Sequence, residues 1–268
     1  MEAYITKYYN ATSNEMPRVE DNFALSSSYS HLPVVLLCYF LVVKAFGPKW
    51  MKDKKPFVLR EVIMVYNLSQ VLANAYLLYL ALSYWGFDIL RSWNHVCNPI
   101  TETIGFDLKN QYRFMEVMHY YHITKIVDLL DTVFFVLRKK ESQITTLHLF
   151  HHSTMVVNSW LTMTPLREQV SALFGVLNLI VHVFMYTYYF LAGFGPKVQK
   201  YLWWKKHLTR MQLVQFVLML AILAKMKLIQ CQCSPWFWSL WAFNISVYFG
   251  LFLNFYISSY NKKREKSQ

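Results

Sequence analysis

Acidic charge is what this chain has least of. Its 15 Asp and Glu stand against 27 Lys and Arg in 268 residues, and only 16% of residues are charged while 55% are hydrophobic. A soluble domain of this length carries more polar surface than that, so the balance excludes an ordinary water-soluble globule and indicates a polytopic membrane protein. Glycine is equally short, with seven in the chain, and no G-x-G-x-x-G opens a helix, so the sequence shows no dinucleotide-binding loop for nicotinamide chemistry. The four cysteines make no metal knuckle: Cys38 lies inside an apolar run, and Cys231 and Cys233 lack the two-residue gap of a zinc or thioredoxin-like pair. The first 30 residues are polar, without a basic segment ahead of an apolar core, so no cleavable signal peptide is expected and targeting falls to the first span. No repeat, low-complexity tract or domain boundary is visible. One membrane-embedded domain over 1–268 is therefore expected, with 1–30 as its N-terminal segment and 259–268 as a basic tail.

What is present is a series of long apolar runs. Seven lie at or close to the roughly 17 to 25 residues a membrane helix needs, at about Leu32 to Gly47, Val62 to Leu82, Phe114 to Leu137, Thr145 to Met163, Ser171 to Leu191, Met211 to Ile229 and Trp236 to Ser258. The expected fold is all-α, a bundle of seven spans. The net charge of +12 does not spread over one surface, as nucleic-acid binding would require; it gathers in every second connection. Those clusters are Lys49 to Arg60, Arg138 to Lys140, Lys197 to Arg210, and Lys262 to Lys266. The positive-inside rule puts them in the cytosol, with the N-terminus across the membrane and the C-terminus inside. The sequon at Asn10 and the loop cysteines Cys97, Cys231 and Cys233 then share the oxidising, glycosylating side. A disulfide from Cys97, to Cys231 or to Cys233, is allowed by this topology. Arg264 and Lys266, five and three places from the end, resemble a dilysine-type retrieval signal of the endoplasmic reticulum.

The chemistry concentrates in polar side chains that interrupt the apolar runs, since ionisable groups at membrane depth are costly and normally face a bundle interior. His148, His151 and His152 stand at i, i+3 and i+4, so one helix face carries three imidazoles. In the third run, Lys125, Asp128 and Thr132 fall within a sector of roughly 60°, with His122 at its edge and Asp131 adjacent. Lys125 with Asp128 or Asp131 is expected to form a neutralising ion pair. His119 and His122 lie nearer the non-cytosolic end. The fifth run repeats the pattern with Asn178, His182, Tyr186 and Tyr189 on one face, where Asn178 is expected to hold the His182 ring and tyrosine hydroxyls to donate to a developing oxyanion. Thr209, Gln212 and Gln215 open the sixth, beside Lys205, Lys206 and Arg210.

The segments KIVDLLDT (125–132), HLFHH (148–152), HVFMYTYY (182–189) and TRMQLVQ (209–215) resemble, in order and spacing, the four signature motifs of the fatty-acid elongase family of the endoplasmic reticulum. One departure is Asp128, where the family motif usually has Glu. The resemblance implies a seven-span protein around an acyl tunnel closed at its lumenal end, condensing a long-chain acyl-CoA with malonyl-CoA to a 3-oxoacyl-CoA. It implies His148, His151, His152 and His182 as catalytic, with His151 as acyl carrier and Lys125, Asp128, Asp131, Thr132, Asn178, Tyr186 and Tyr189 in support. Gln212, Gln215, Lys205, Lys206 and Arg210 would meet CoA, whose phosphates suit basic side chains. No cofactor or metal is called for. The expected partners are the reductases and dehydratase of the elongation cycle, membrane lipid and a second copy of the chain, but no nucleic acid. A membrane di-iron desaturase or hydroxylase is the alternative, since HxxHH also occurs in its metal boxes. Such a site needs roughly eight imidazoles, and this chain offers one clear box. A seven-span receptor or transporter would explain the spans but not the histidines. Residues such as Leu218, Phe249 and Phe252 would set tunnel depth if they face inward, which periodicity alone does not decide.

Overall fold

The computed structural model describes residues 23, 25, 30–86, 96–97, 108–163, 168–231 and 233–261. Asn10 and the tail from residue 262 lie outside them. All regular structure among the described residues is helical: α1 (His31–Phe40), α2 (Gly47–Met51), α3 (Arg60–Trp85), α4 (Leu108–Val127), α5 (Leu130–Leu137), α6 (Thr146–Leu161), α7 (Val170–Ala192), α8 (Pro196–Gln199), α9 (Lys205–Leu228) and α10 (Pro235–Tyr256). Wider π turns join α1 to α2 (Leu41–Phe46) and extend α10 (Ile257–Asn261). At the first of these, a Cβ on Gly47 would stand 2.8 Å from Val136 Cγ1, so only glycine lets α5 approach the wide turn so closely.

Among the described residues five helical stretches are long and apolar enough to cross a membrane: His31–Met51, Arg60–Trp85, Val170–Ala192, Lys205–Leu228 and Pro235–Tyr260. The third and fourth runs of the expected seven are helical without joining that set, for a physical reason in each case. The third is loaded with charge and divided between α4 and α5. The fourth is the 16-residue α6, short of the roughly 20 residues a bilayer requires. These two helices carry the polar motifs.

Helix α7 is the centre of the bundle. In its most apolar stretch 67% of residues are buried, against 11% in the first span, which lies at the periphery. It packs most extensively along α3 and then against α9, while α4 packs on α3 and α6, and α9 on α10. Leu77, Ala81 and Trp85 of α3, Met115 and Met118 of α4, Phe174 and Leu179 of α7, Leu223 of α9 and Ile245 of α10 form one continuous core. A second, smaller cluster joins Tyr39 and Val43 of the first span to Leu129, Val136 and Val156.

At one end of the bundle Cys97 is bonded to Cys231, linking segments 134 residues apart, while Cys38 and Cys233 are free thiols. At the same end Glu168, just ahead of α7, accepts the backbone N–H of Ser234 at the start of α10 through Oε1 at 2.9 Å. Burial pushes the Glu168 carboxyl above its ordinary range, with the Ser234 N–H opposing the shift. Folded protein therefore holds that proton more tightly than unfolded chain, so the stabilisation is fully present below the unfolded pKa and fades as pH rises through the folded one. Glu168→Gln keeps the acceptor and removes the titration. It should raise the melting temperature at pH 7 relative to the parent and flatten the parent's gain on acidification, as thermal scans at pH 7 and 5 will show. Non-reducing peptide mapping should recover the Cys97–Cys231 cross-link with Cys38 and Cys233 alkylated, and Cys97→Ser should cost about 2–5 kcal/mol of stability.

Candidate active site

The histidine face is set by how α6 begins. Thr145 takes an extended backbone and its hydroxyl accepts the His148 N–H at 3.2 Å, a side-chain cap that starts the helix just before the first imidazole. From there His148 stacks on His152 with ring centroids 4.2 Å apart, and His152 meets His151 at 5.5 Å. The three rings differ in what holds them. His148 Nε2 lies 2.8 Å from the Thr132 hydroxyl, which in turn meets Tyr39 of the first span at 2.9 Å. His151 has no hydrogen bond to either ring nitrogen among the described residues. It is held instead by edge-on packing against Tyr248 at 5.2 Å and Phe252 at 5.9 Å, both from α10.

His151 also lines a cavity between α4, α6, α7, α9 and α10. Met118, Phe174, Phe216, Met219, Trp241 and Ile245 make its wall apolar, while Tyr121, Asn178, Gln215 and Tyr248 add polar atoms to it.

A buried charge cluster adjoins it. Lys125, only 1% exposed, donates to Asp128 Oδ2 at 2.9 Å and stands 3.2 Å from His182 Nδ1. An ammonium can only donate, so His182 Nδ1 accepts and the ring's proton sits on Nε2. Asp128 Oδ1 accepts from Gln70 Nε2 and, at 2.8 Å, from Tyr186. Tyr186 also lies 3.0 Å from Asp131 Oδ2 and 3.5 Å from the Tyr66 hydroxyl. The ion pair therefore joins Lys125 to Asp128, and Asp131 meets the cluster through the Tyr186 and Tyr66 hydroxyls.

Asn178 does not hold the His182 ring. Its Oδ1 accepts the Tyr121 hydroxyl at 2.8 Å, and Lys125 takes the position expected of it, because the lysine is long enough to reach across from α4. Tyr189 packs edge-on to Tyr186 and is 44% exposed, at the rim of this face. Gln215 reaches the cavity, whereas the Gln212 amide contacts the Met185 sulfur at 3.7 Å. Lys205 is exposed, and Lys206 and Arg210 gather around Tyr256, whose hydroxyl accepts from Arg210 Nε at 2.9 Å; none of the three lines the cavity. Leu218 points outward at 47% exposure, Phe249 packs on the core and Phe252 lies against His151 and Phe216. His122 is buried away from the cluster, between Ser159 at 2.8 Å and His31 at 3.2 Å, and His119 packs on Phe23. Among the described residues no group of three or more His, Cys, Asp or Glu converges on a metal position.

Two sets of residues escape a motif-centred reading. Asn67, Gln70 and Asn74 of α3 are all buried, and their steps of three and four inside an apolar run give the same signal that exposed the other polar stripes. The other set, Tyr248 with Thr154 at 2.7 Å and Asn158 at 3.2 Å, then Asn244, joins α6 to α10 and has no such local signature, since its partners lie about 90 residues apart.

Comparison with known proteins assigns this arrangement. Residues 24–268 match the family described as ELO: GNS1/SUR4 family. The very long chain fatty acid elongase 7 of Drosophila melanogaster is 37% identical over 274 residues, covering 99% of this chain and 80% of the relative. The very long chain fatty acid elongase 4 of Macaca mulatta is 38% identical over 92% of this chain and 76% of its own length. For the very long chain fatty acid elongase 1 of Mus musculus the figures are 34%, 98% and 92%. With the match spanning every helix described and all four polar motifs, the chain belongs to the ELO, GNS1/SUR4 family.

Proposed function

We propose that this protein condenses a long-chain acyl-CoA with malonyl-CoA, releasing CoA and carbon dioxide and giving a 3-oxoacyl-CoA two carbons longer. The observation that carries the reading is the position of His151, an imidazole with both nitrogens unengaged at the wall of an apolar cavity. Of its neighbours, His148 is tied by one nitrogen to Thr132 and His182 to Lys125, while His152, also without a ring-nitrogen hydrogen bond among the described residues, does not line the cavity. The names of the relatives support the same reading.

In the first stage a His151 nitrogen attacks the thioester carbon, the acyl group passes to the imidazole, and the imidazole proton leaves with the CoA thiol. In the second, malonyl-CoA loses carbon dioxide to give an enolate, which attacks the acyl carbon and expels the His151 ring. His182 Nε2–H is a donor for the oxyanion formed in each stage, and Asn178 and Gln215 offer amides beside the cavity. An acylated imidazole is prone to hydrolysis, so the apolar wall protects it. Lys205, Lys206 and Arg210 would draw CoA phosphates to the basic end of the bundle, which faces the cytosol, with the disulfide end in the lumen of the endoplasmic reticulum. Reduction and dehydration of the product then fall to separate enzymes of the same membrane.

Ping-pong kinetics follow, and acyl-CoA alone should release CoA and leave one acyl mass on the peptide containing His151. An unmodified peptide, with CoA release that waits for malonyl-CoA, would replace this scheme by direct ternary condensation. Stranding one member of the Lys125–Asp128 pair costs about 3–5 kcal/mol. Lys125→Ala and Asp128→Asn should therefore lower folded yield in size-exclusion profiles as well as activity, while Asp128→Glu should be tolerated. Lys125→Ala that folds normally and loses only turnover would show that the pair does not hold the fold.

A further inference from the structure

The condensation proposed above consumes one proton per turnover. Malonyl carboxylate leaves as neutral carbon dioxide, the first-stage proton of His151 has departed with CoA, and the enolate's attack expels the ring as an imidazolate. That ring needs a proton before the next cycle, in a site whose wall is apolar.

The charge cluster holds one more hydrogen-bond contact than its obvious protons can fill. Tyr186 has a single hydroxyl proton, yet its oxygen lies within hydrogen-bond distance of two carboxylate oxygens, Asp128 Oδ1 at 2.8 Å and Asp131 Oδ2 at 3.0 Å. One contact takes the tyrosine proton, and the other is a bond only if a carboxyl supplies its own. Asp128 already has Lys125 as counter-charge and Gln70 as donor. Asp131 has no cation beside it, and a second unpaired carboxylate in an apolar bundle is costly. The extra proton therefore belongs on Asp131, donated to Tyr186 while Tyr186 donates to Asp128. The backbone makes this geometry. Between α4 and α5 the bonds tighten to three-residue steps, with Asp131 N–H to Asp128 O at 3.2 Å and Thr132 N–H to Leu129 O at 3.2 Å. Three-residue steps eclipse positions i and i+3, which stacks the two aspartates on one side and lets both reach the same hydroxyl.

We propose that Asp131, Tyr186, Asp128, Lys125 and His182 form a proton relay that resets His151. Its links are continuous as far as His182, with 3.0 Å from Asp131 to Tyr186, 2.8 Å to Asp128, 2.9 Å from Asp128 to Lys125 and 3.2 Å to His182, and the last transfer, from His182 Nε2 to His151, is part of the proposal. Its two ends differ. Asp131 is partly exposed and lies seven residues before the basic Arg138, the end at which protons would enter, whereas Asp128, Lys125 and His182 are buried. When the imidazolate forms, His182 gives up its Nε2 proton and takes one at Nδ1 from Lys125; Tyr186 passes its proton to Asp128 Oδ1 and takes one from Asp131, the Asp128 carboxyl turns to hand the proton it received to Lys125, Asp131 recovers its own from water, and the His182 ring turns over before the next cycle. Each bond to hydrogen that breaks is matched by one that forms, and the sum is the single proton the reaction requires. Asp131 acts through the others and does not touch the substrate.

The relay rests on the acyl-histidine reading and predicts an effect on one stage only. Full-length protein in lipid nanodiscs is loaded with acyl-CoA while CoA release is timed, then given malonyl-CoA while the acyl mass on the His151 peptide is followed. Asp131→Asn keeps size and hydrogen bonding but cannot pass a proton on, and should slow the second stage at least about tenfold more than the first. Tyr186→Phe, which keeps the ring and removes only the bridging hydroxyl, should show the same split, and Asp131→Glu should restore the second stage. Equal slowing of both stages, as a purely structural role would give, or slowing of neither, overturns the relay while leaving the acyl-histidine reading intact. Parent protein that never acquires the acyl mass removes that reading, and the relay with it, because no imidazolate is left to protonate.

Discussion

An ammonium and two carboxyls are enclosed in an apolar bundle, and the burial of those groups sets the terms for the helices around them. Lys125 reaches Asp128 on its own helix and His182 on α7; Asp128 in turn takes donors from α3 and α7. Desolvating charge on this scale is tolerable only when every lone pair and proton finds a partner. Three helices are thereby held in one register. The same requirement explains why α3, which carries no catalytic candidate, buries Gln70, whose amide donates to Asp128.

The histidine cluster is built on the opposite principle. His148 is tethered through Thr132 to Tyr39, so even the peripheral first span contributes to its orientation. His151 is positioned by ring packing and keeps its nitrogens open to the cavity. Aromatic contacts orient a ring without occupying its nitrogens, whereas a hydrogen bond engages one of them. A fixed charge unit on one side and an unengaged imidazole on the other make a site in which groups are placed beforehand rather than on substrate arrival.

Much of this was legible from residues alone, for identifiable reasons. Seven hydrophobic runs coincide with helices because in a bilayer the backbone must satisfy itself within each segment. The imidazole face of α6 follows from spacing, since i, i+3 and i+4 share a face in any helix. The pairing of Lys125 with an aspartate on the same turn is equally local. The role expected of Asn178 was not recovered, because a one-turn contact on α7 competed with a lysine from α4 and a tyrosine hydroxyl at 2.8 Å, and both long-range partners won.

Composition and local periodicity were thus enough for an all-helical membrane bundle, for the polar stripes that face inward, and for the four motifs that mark its family. These are properties of one helix at a time, governed by desolvation and by the 3.6-residue turn. Which of three clustered imidazoles lines the cavity, which carboxyl pairs with the lysine, and which tyrosines close the cavity were settled by packing between segments far apart in the chain. Tyr248 meets Thr154 across 94 residues and Lys125 meets His182 across 57. No pattern within a single helix encodes such distances, because they depend on how neighbouring helices lean and rotate against one another until the buried polar groups are satisfied.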